Sequence, residues 1–196
     1  MGANSEKLKA NLLGSIRAKE ALMESPEQLA AFERATEIVV AAYRQGGRLY
    51  IAGNGGSAAD AQHLAAEFVS KLARPRAPLP AEALTTDTST ITAIGNDFGF
   101  EEVFSRQVLG KMGPKDVFMG ITTSGKSKNI VRALEECRNI GVSSIVFSGF
   151  DGGPVKSMAT VCVVAPGKVT SEIQEVHQVM YHSLCACVED ALFPEL

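Results

Sequence analysis

The sequence predicts an α/β protein with a doubly wound, mainly parallel, five-stranded sheet between two layers of helices. Short, continuous apolar runs alternate along the chain with longer segments in which apolar residues recur at helical spacing. Continuous apolar runs are typical of parallel strands that helices cover on both faces. Clusters rich in glycine or hydroxyl side chains follow three of these runs. Open α/β sheets bind ligands at the carboxyl ends of their strands, so these clusters are the first candidates for a site.

Two helices are predicted to precede the sheet, within residues 1–45. Ser25 and Pro26 mark the start of the second helix, since serine is a favoured N-cap and proline fits the first helical position. Gln28 would complete a capping box by reaching back to Ser25. Gly46 and Gly47 follow the last apolar position of this helix and are expected to end it.

Strands and helices are predicted to alternate over the rest of the chain. The strands fall at residues 48–52, 81–85, 116–122, 143–148 and 160–164. The helices fall at residues 57–72, 88–95, 101–109, 128–139 and 170–192. The proline-rich stretch 74–80 is too short to separate two domains and is predicted to be a stiff loop between a helix and a strand. We therefore expect residues 1–196 to form a single domain.

Composition and charge exclude several classes of protein. The 196 residues are 45% hydrophobic and 21% charged, as in an ordinary folded domain. A formal net charge of -3 gives no electrostatic footprint for nucleic acid, and no apolar run reaches the roughly 18 residues of a membrane span. The polar start lacks a secretory signal. We therefore expect a cytoplasmic protein with reduced cysteines at positions 137, 162, 185 and 187.

The clearest candidate for a ligand site is the hydroxyl-rich cluster at residues 122–127. A glycine among Thr and Ser side chains, just before a helix, would offer free N–H groups and the positive end of a helix dipole to a phosphate. Residues 120–127 also match the letters of a nucleotide-binding P-loop, but Gly120 falls within an apolar run and is predicted to be strand. A small phosphomonoester is favoured over a nucleotide, and a Ser/Thr-rich helix cap is the plain alternative.

Titratable residues form two further candidates. His63 and Glu67 lie four apart on the predicted helix 57–72 and therefore share a face. This spacing suits a divalent metal or an acid/base pair, and equally an exposed helical ion pair. His177 and His182 lie among apolar residues of the last predicted helix, where a histidine is often only part of the core.

Several motifs together resemble a known family over nearly the whole chain. They are residues 53–63 (GNGGSAADAQH), 85–89 (TTDTS), 93–100 (AIGNDFGF), 123–127 (TSGKS) and 173–177 (IQEVH), with His182. In this order they are similar to the signature of bacterial phosphoheptose isomerases, which act on sedoheptulose 7-phosphate and have the sugar isomerase (SIS) fold. The resemblance implies a homotetramer that uses the N-terminal helices, and a sugar phosphate rather than a nucleotide at the hydroxyl-rich cluster.

The resemblance also implies roles for individual residues. Substrate binding is implied for Asn54, Gly55, Gly56, Ser57, Glu67, Asn96, Asp97, Thr122, Thr123, Ser124, Ser127 and Gln174. The implied zinc ligands are His63, Glu67, Gln174 and His182, and the implied acid/base pair is Glu67 with His182. The implied reaction is a ketose-to-aldose conversion through an enediol, giving D-glycero-D-manno-heptose 7-phosphate as the first step of ADP-heptose synthesis for lipopolysaccharide or a related glycan.

Two features depart from this pattern. Glu172 stands where the family usually has Arg or Lys, and this reversal of charge is expected to weaken binding of an anion or to alter a subunit contact. Thr122 replaces a serine, which is a milder change. In addition, Gln174 and His182 are eight residues apart, about 12 Å along one helix, so both can bind one zinc only if Gln174 leaves the helix or another subunit contributes.

Two other functions stay open at this point. Non-catalytic relatives of the same fold act as tetrameric adaptors that bind the replication initiator, but they typically lack the catalytic carboxylate and the last histidine, which are Glu67 and His182 here. An isomerase of another sugar phosphate is the second alternative. The residues by themselves indicate only a phosphosugar site with an acid/base pair.

Overall fold

The computed structural model describes residues 2–195 and confirms the predicted parallel sheet. Its strands are β1 (Leu49–Gly53), β2 (Ala81–Ala83), β3 (Val117–Ile121), β4 (Ser143–Gly149) and β5 (Val161–Ala165). Their order is β2-β1-β3-β4-β5, and every neighbouring pair is parallel. The strand order reverses between β1 and β3, and such a switch point opens a crevice at the carboxyl ends of these two strands.

Eight α-helices flank the sheet in the described part of the chain. They are α1 (Ala3–Met23), α2 (Pro26–Arg44), α3 (Gly56–Val69), α4 (Thr88–Asp97), α5 (Ser105–Lys111), α6 (Lys128–Asn139), α7 (Val155–Met158) and α8 (Thr170–Leu192). α7 was not among the predicted helices. The predicted helix 101–109 also combined part of the 3-10 turn Phe100–Glu102 with α5, whereas in the structure Ser105 Oγ donates to the Glu102 carbonyl and competes with continuous helix there.

The two faces of the sheet form two separate hydrophobic cores. One core joins the sheet to α1, α2, α3 and α8, and it contains Ile51 of β1 and Phe68 of α3. The other joins it to α4, α5, α6 and α7, and it contains Tyr50 of β1 and Ile130 of α6. Adjacent residues of one strand enter opposite cores because side chains alternate across a sheet. Both faces are therefore covered, as the continuous apolar strands predicted.

The predicted capping box at the start of α2 is wrong in one of its two bonds. Ser25 Oγ accepts the backbone N–H of Gln28 at 3.4 Å, as an N-cap should. The side chain of Gln28, however, reaches the sheet, where its Oε1 accepts the N–H of Val164 at 2.7 Å. β5 is at the edge of the sheet, where backbone N–H groups have no neighbouring strand on one side, and the Gln28 amide satisfies the one of Val164.

Two smaller predictions from the sequence are confirmed. Gly120 lies within β3, opposite Ala52 of β1 and Val146 of β4, so it belongs to the strand and not to a nucleotide-binding loop. All four cysteines are free; Cys185 is buried and Cys187 exposed, as their spacing on one helix requires. None of the helices within residues 2–195 is both long and apolar enough to cross a membrane.

Candidate active site

Two loops meet at the switch point of the sheet. The glycine loop, residues 53–57, follows β1 and begins α3, and the hydroxyl loop, residues 122–127, follows β3 and precedes α6. Asn54 of the glycine loop and Asn129, in the first turn of α6 just after the hydroxyl loop, are joined because each side-chain amide donates to the other's oxygen at 2.9 Å. Asn129 is buried, and no spacing in the sequence pointed to it. The pair fixes the two loops relative to each other across the crevice.

The hydroxyl loop presents its polar groups with few internal bonds. Thr122 Oγ1 and Ser127 Oγ lie 3.1 Å apart, and Ser124 Oγ accepts the backbone N–H of Lys126 at 3.2 Å. Ser127 is the N-cap of α6, yet its side chain makes no capping bond. This argues against the plain helix-cap alternative, since a capping serine would bind the N–H groups of the first helical turn. Hydroxyl side chains at the start of α6, together with the positive end of the helix dipole, suit an anion.

A third loop, residues 149–153, supports the hydroxyl loop from behind. Gly125 has φ +64°, and a Cβ built on it would lie 2.1 Å from the carbonyl oxygen of Gly152. The same carbonyl accepts the hydroxyl of Ser148 at 3.0 Å. The two loops therefore pack backbone against backbone, which only glycine at position 125 permits. This packing gives the supporting loop the role that its sequence did not reveal.

Three titratable side chains converge between α3 and α8. His63 Nε2 lies 3.0 Å from His182 Nε2 and 3.3 Å from Glu67 Oε1. Glu67 and His182 are half-buried, and the ligand atoms of all three residues lie within 4.8 Å of one another. Ligands about 2.0 Å from a tetrahedral zinc are about 3.3 Å apart, so this donor set fits such an ion. His63 and Glu67 thus belong to a three-residue group, not to an isolated helical ion pair.

Gln174 lies on the same helix as His182 but in a different place. Its Nε2 donates to Asp60 Oδ2 at 2.8 Å, and its amide lies against Gly56 of the glycine loop. α8 is continuous through both positions, so two helical turns separate Gln174 from His182 within one chain. A zinc-binding role for Gln174 therefore stays a prediction that requires another subunit.

Asp60 is a buried acid at this site that sequence analysis missed. Burial raises the pKa of Asp60, while hydrogen bonds from Gln174, Gln178 and Tyr181 act in the opposite direction. Burial also raises the pKa of Tyr181 to about 12, and the nearby Asp60 adds to this effect. Asp60 lies three residues before His63 and therefore on the same helical face, a spacing that could have revealed it.

Asn96 and Asp97 lie at the end of α4 and are exposed. Asn96 Nδ2 donates to Asp97 Oδ1 at 2.7 Å. Among residues 2–195, the side chains of these two residues form no hydrogen bond with any other residue. The structure does not join them to the loops or to the three-residue group. Their predicted contact with substrate therefore stays a prediction.

The third histidine, His177, belongs to the core. It is fully buried, and its Nε2 donates to the carbonyl oxygen of Ser148 at 2.8 Å. Burial lowers the pKa of His177 to about 4, so the ring is neutral at pH 7. Its Nδ1 has no hydrogen-bond partner among residues 2–195. The interpretation of this histidine as a core residue is confirmed.

Glu172, the unexpected acid, lies at the start of α8. Its Oε2 accepts the backbone N–H of Lys168 at 2.7 Å, and its carboxylate packs against Gly14 of α1. A carboxylate is favourable near a helix N-terminus. The position of Glu172 against α1 associates it with the N-terminal helices rather than with the hydroxyl loop.

Fold and site together define a class of protein. A hydroxyl loop at the switch point of a five-stranded parallel sheet is the arrangement of a SIS domain, and the family model described as "SIS domain" matches residues 16–149. Similar sequences point to one family within this class. A phosphoheptose isomerase of Aneurinibacillus thermoaerophilus is 45% identical over 186 residues, which cover 95% of this chain and 94% of the relative.

Solved structures agree with the relatives. A phosphoheptose isomerase from Neisseria gonorrhoeae is 38% identical with a TM-score of 0.89, and the match covers 96% of this chain and 100% of that one. One from Francisella tularensis is 32% identical with a TM-score of 0.91, over the same shares. The chain belongs to the phosphoheptose isomerase family of SIS-domain proteins.

Proposed function

We propose that this protein converts sedoheptulose 7-phosphate to D-glycero-D-manno-heptose 7-phosphate, as its relatives' name implies. The observation that carries the proposal is the convergence of His63, Glu67 and His182 between α3 and α8. α3 begins in the glycine loop, and the Asn54–Asn129 pair joins that loop to the start of α6, directly after the hydroxyl loop. This arrangement supports a proposal in which one scaffold carries both an anion site and an acid/base group, as isomerisation of a phosphorylated sugar requires.

In this proposal the hydroxyl loop holds the phosphate, far from the reacting carbons. The proposed donors are hydroxyls and backbone N–H groups of this loop, since a chain with a net charge of -3 attracts no anion by bulk charge. The phosphate contacts are Thr122, Thr123, Ser124 and Ser127. The sugar contacts are Asn54, Gly55, Gly56, Ser57, Glu67 and Gln174, with Asn96 and Asp97. Binding energy from the phosphate holds the carbonyl end at the reacting group.

The proposed reaction moves two protons. Glu67 removes a proton from C1 of the ketose, an enediol forms, and the proton returns at C2 to give the aldose. His182 transfers the second proton from the oxygen on C1 to the oxygen on C2. Their positions support these roles, since Glu67 is half-buried and both side chains lie close to His63. A carboxylate and an imidazole within reach of one substrate are the usual groups for such transfers.

We further propose that His63, Glu67 and His182 hold one zinc ion per subunit. The spacing of their ligand atoms supports this, and three protein ligands leave a coordination position open for substrate. A bound zinc polarises a carbonyl and stabilises the negative charge of an enediolate. Gln174 would complete the ligand set only from a neighbouring subunit.

The proposed assembly is a homotetramer in which residues 1–45 form contacts between subunits of a single-domain chain. Large apolar side chains are exposed along α1: Leu8, Leu12, Leu13, Ile16 and Met23. Exposed apolar patches of this kind mark protein interfaces. Glu172 lies against the same helix, so its charge would affect this contact between subunits. The free thiols support a cytoplasmic location, and the product would enter ADP-heptose synthesis.

Turnover of sedoheptulose 7-phosphate by the purified protein tests the proposal. We expect conversion that falls after treatment with a chelator and returns when zinc is added. A folded tetramer that converts no substrate in the presence of zinc would contradict the proposed activity and favour a non-catalytic adaptor. Full activity in a zinc-free protein would contradict the proposed zinc site but not the proposed isomerase activity.

A further inference from the structure

A buried arginine lies directly behind the reacting group. Arg76 belongs to the loop between α3 and β2, and its side chain is fully enclosed although the surrounding loop is exposed. Its Nη2 donates to the carbonyl oxygen of Glu67 at 2.8 Å, and its Nη1 donates to that of Phe68 at 2.7 Å. Its Nε donates to Glu189 Oε1 at 2.8 Å. One guanidinium thus binds the backbone of α3 and a side chain of α8.

These bonds complete the end of α3. The last four carbonyls of a helix lack partners within the helix, and those of Glu67 and Phe68 are among them, since α3 ends at Val69. A positive charge is favourable at this end of a helix. Arg76 therefore holds the backbone of the residue whose carboxylate is the proposed base.

The same side chain positions α8. Glu189 follows His182 by seven residues, which is two helical turns, so both side chains lie on one face of α8. Glu189 Oε1 also accepts the N–H of Leu72 at 3.0 Å. Burial opposes ionisation of Glu189, but the bonds from Leu72 and Arg76 outweigh it, and the pKa of Glu189 is lowered. The pair is thus ionised, and Glu189 Oε1 accepts two hydrogen bonds.

Stability alone does not account for this arrangement. A buried ion pair loses about as much by desolvation as it gains by attraction, and an apolar pair of similar volume is often as stable. The planar fork of arginine, however, directs several donors at fixed angles, which neither lysine nor an apolar side chain can do. What the pair supplies is a fixed distance and angle between α3 and α8, the two helices that carry His63, Glu67 and His182.

We propose that Arg76 is a positioning residue, which holds the Glu67 carboxylate in register with His182 by joining the end of α3 to Glu189. The inference rests on the proposed isomerase function. Its activity test is Arg76→Lys, which keeps the charge and loses the fork. The chain offers a matched control in the same loop: Arg74 pairs at the surface with Asp190, the neighbour of Glu189, so Arg74→Lys should change nothing.

For Arg76→Lys we expect kcat to fall about 10- to 100-fold with KM within about twofold of the wild type. Titration of the metal-free protein with Co²⁺, read by visible absorbance, should show affinity weakened by a similar factor. A role in folding alone would lower the melting temperature and leave kcat and Co²⁺ affinity at wild-type values below the transition. That result would overturn the proposal.

Glu189→Gln keeps the inference testable if Arg76→Lys does not fold. This change leaves the carbonyl bonds of Arg76 in place and removes only the charge on α8, so we expect a smaller loss of kcat in the same direction. Wild-type kcat in a folded Glu189→Gln protein would contradict the proposal. A wild-type protein that converts no substrate would instead contradict the proposed function, and the Co²⁺ titration would still measure positioning.

Discussion

The hydroxyl loop and the group formed by His63, Glu67 and His182, which we propose as the two ends of one site, are built in different ways. The hydroxyl loop offers mainly hydroxyl side chains, and it rests on the backbone of the supporting loop. The other end uses three titratable side chains, carried by two helices that the Arg76–Glu189 pair joins. Binding spread over many neutral donors tolerates the loss of one, whereas proton transfer depends on single groups. The two ends should therefore respond differently to substitution.

Among variants that keep Glu67, the largest effect is expected at the end formed by the three titratable side chains, from His182→Asn. This change removes a proposed proton-transfer group and a proposed metal ligand together, so kcat should fall about 10²- to 10⁴-fold. Steady-state kinetics with sedoheptulose 7-phosphate measure it. Cys187→Ser, at an exposed position on the same helix, is the control and should match the wild type. A kcat within threefold of the wild type in His182→Asn would remove this residue from the mechanism.

His177, unlike His63 and His182, lies in the core. It donates to Ser148, next to the supporting loop, and burial lowers its pKa to about 4. An unfolded chain binds its proton near pH 6.5, so the stability due to neutral His177 is present above that pH and is lost as the pH falls towards 4. The loss should reach roughly 3 kcal/mol. Denaturant unfolding at several pH values measures it.

His177→Gln is the matching variant, because its amide can still donate to the carbonyl oxygen of Ser148. Its free energy of unfolding should depend less on pH between 4 and 6.5 than that of the wild type. Parallel curves for the two proteins would show that His177 does not cause this dependence.

The backbone contact beneath the hydroxyl loop should be sensitive to a single methyl group. Gly125→Ala adds a Cβ at positive φ and directly against the Gly152 carbonyl, so we expect a loss of about 1–3 kcal/mol in unfolding free energy, with a raised KM. Gly141→Ala is the control, since Gly141 has φ +71° but open space around its Cβ position. The difference between the variants measures the contact alone. Equal losses would show that the loops do not press together.

The smallest effect is expected from the loss of one hydroxyl of the hydroxyl loop. Ser124→Ala removes one donor to the phosphate, and a single hydrogen bond is worth about 0.5–1.5 kcal/mol, so KM should rise about 2- to 10-fold with kcat nearly unchanged. Initial-rate kinetics separate the two constants. A fall in kcat alone would place Ser124 in the chemical step. It would contradict the expectation that the hydroxyl loop affects KM while the titratable group affects kcat.

The sheet could be predicted from the sequence because each strand is a continuous apolar run, and the hydroxyl loop because hydroxyls and glycine cluster there. Asn129 and Arg76 could not be found in this way. Their roles depend on partners 75 residues away in the case of Asn54 and 113 residues away in the case of Glu189. Gln28 shows the same limit, since its local pattern indicated a capping box while a distant strand edge took its side chain. Contacts between distant segments are what local spacing does not record.

Glu67→Gln tests most directly whether binding depends on the hydroxyl loop and proton transfer on the titratable group. Substrate binding to this variant is measured by calorimetry with sedoheptulose 7-phosphate, and turnover is measured in the same preparation. We predict that binding is retained, because the hydroxyl loop is intact, and that turnover is abolished, because an amide cannot remove the proton from C1. Full turnover by Glu67→Gln would contradict the account.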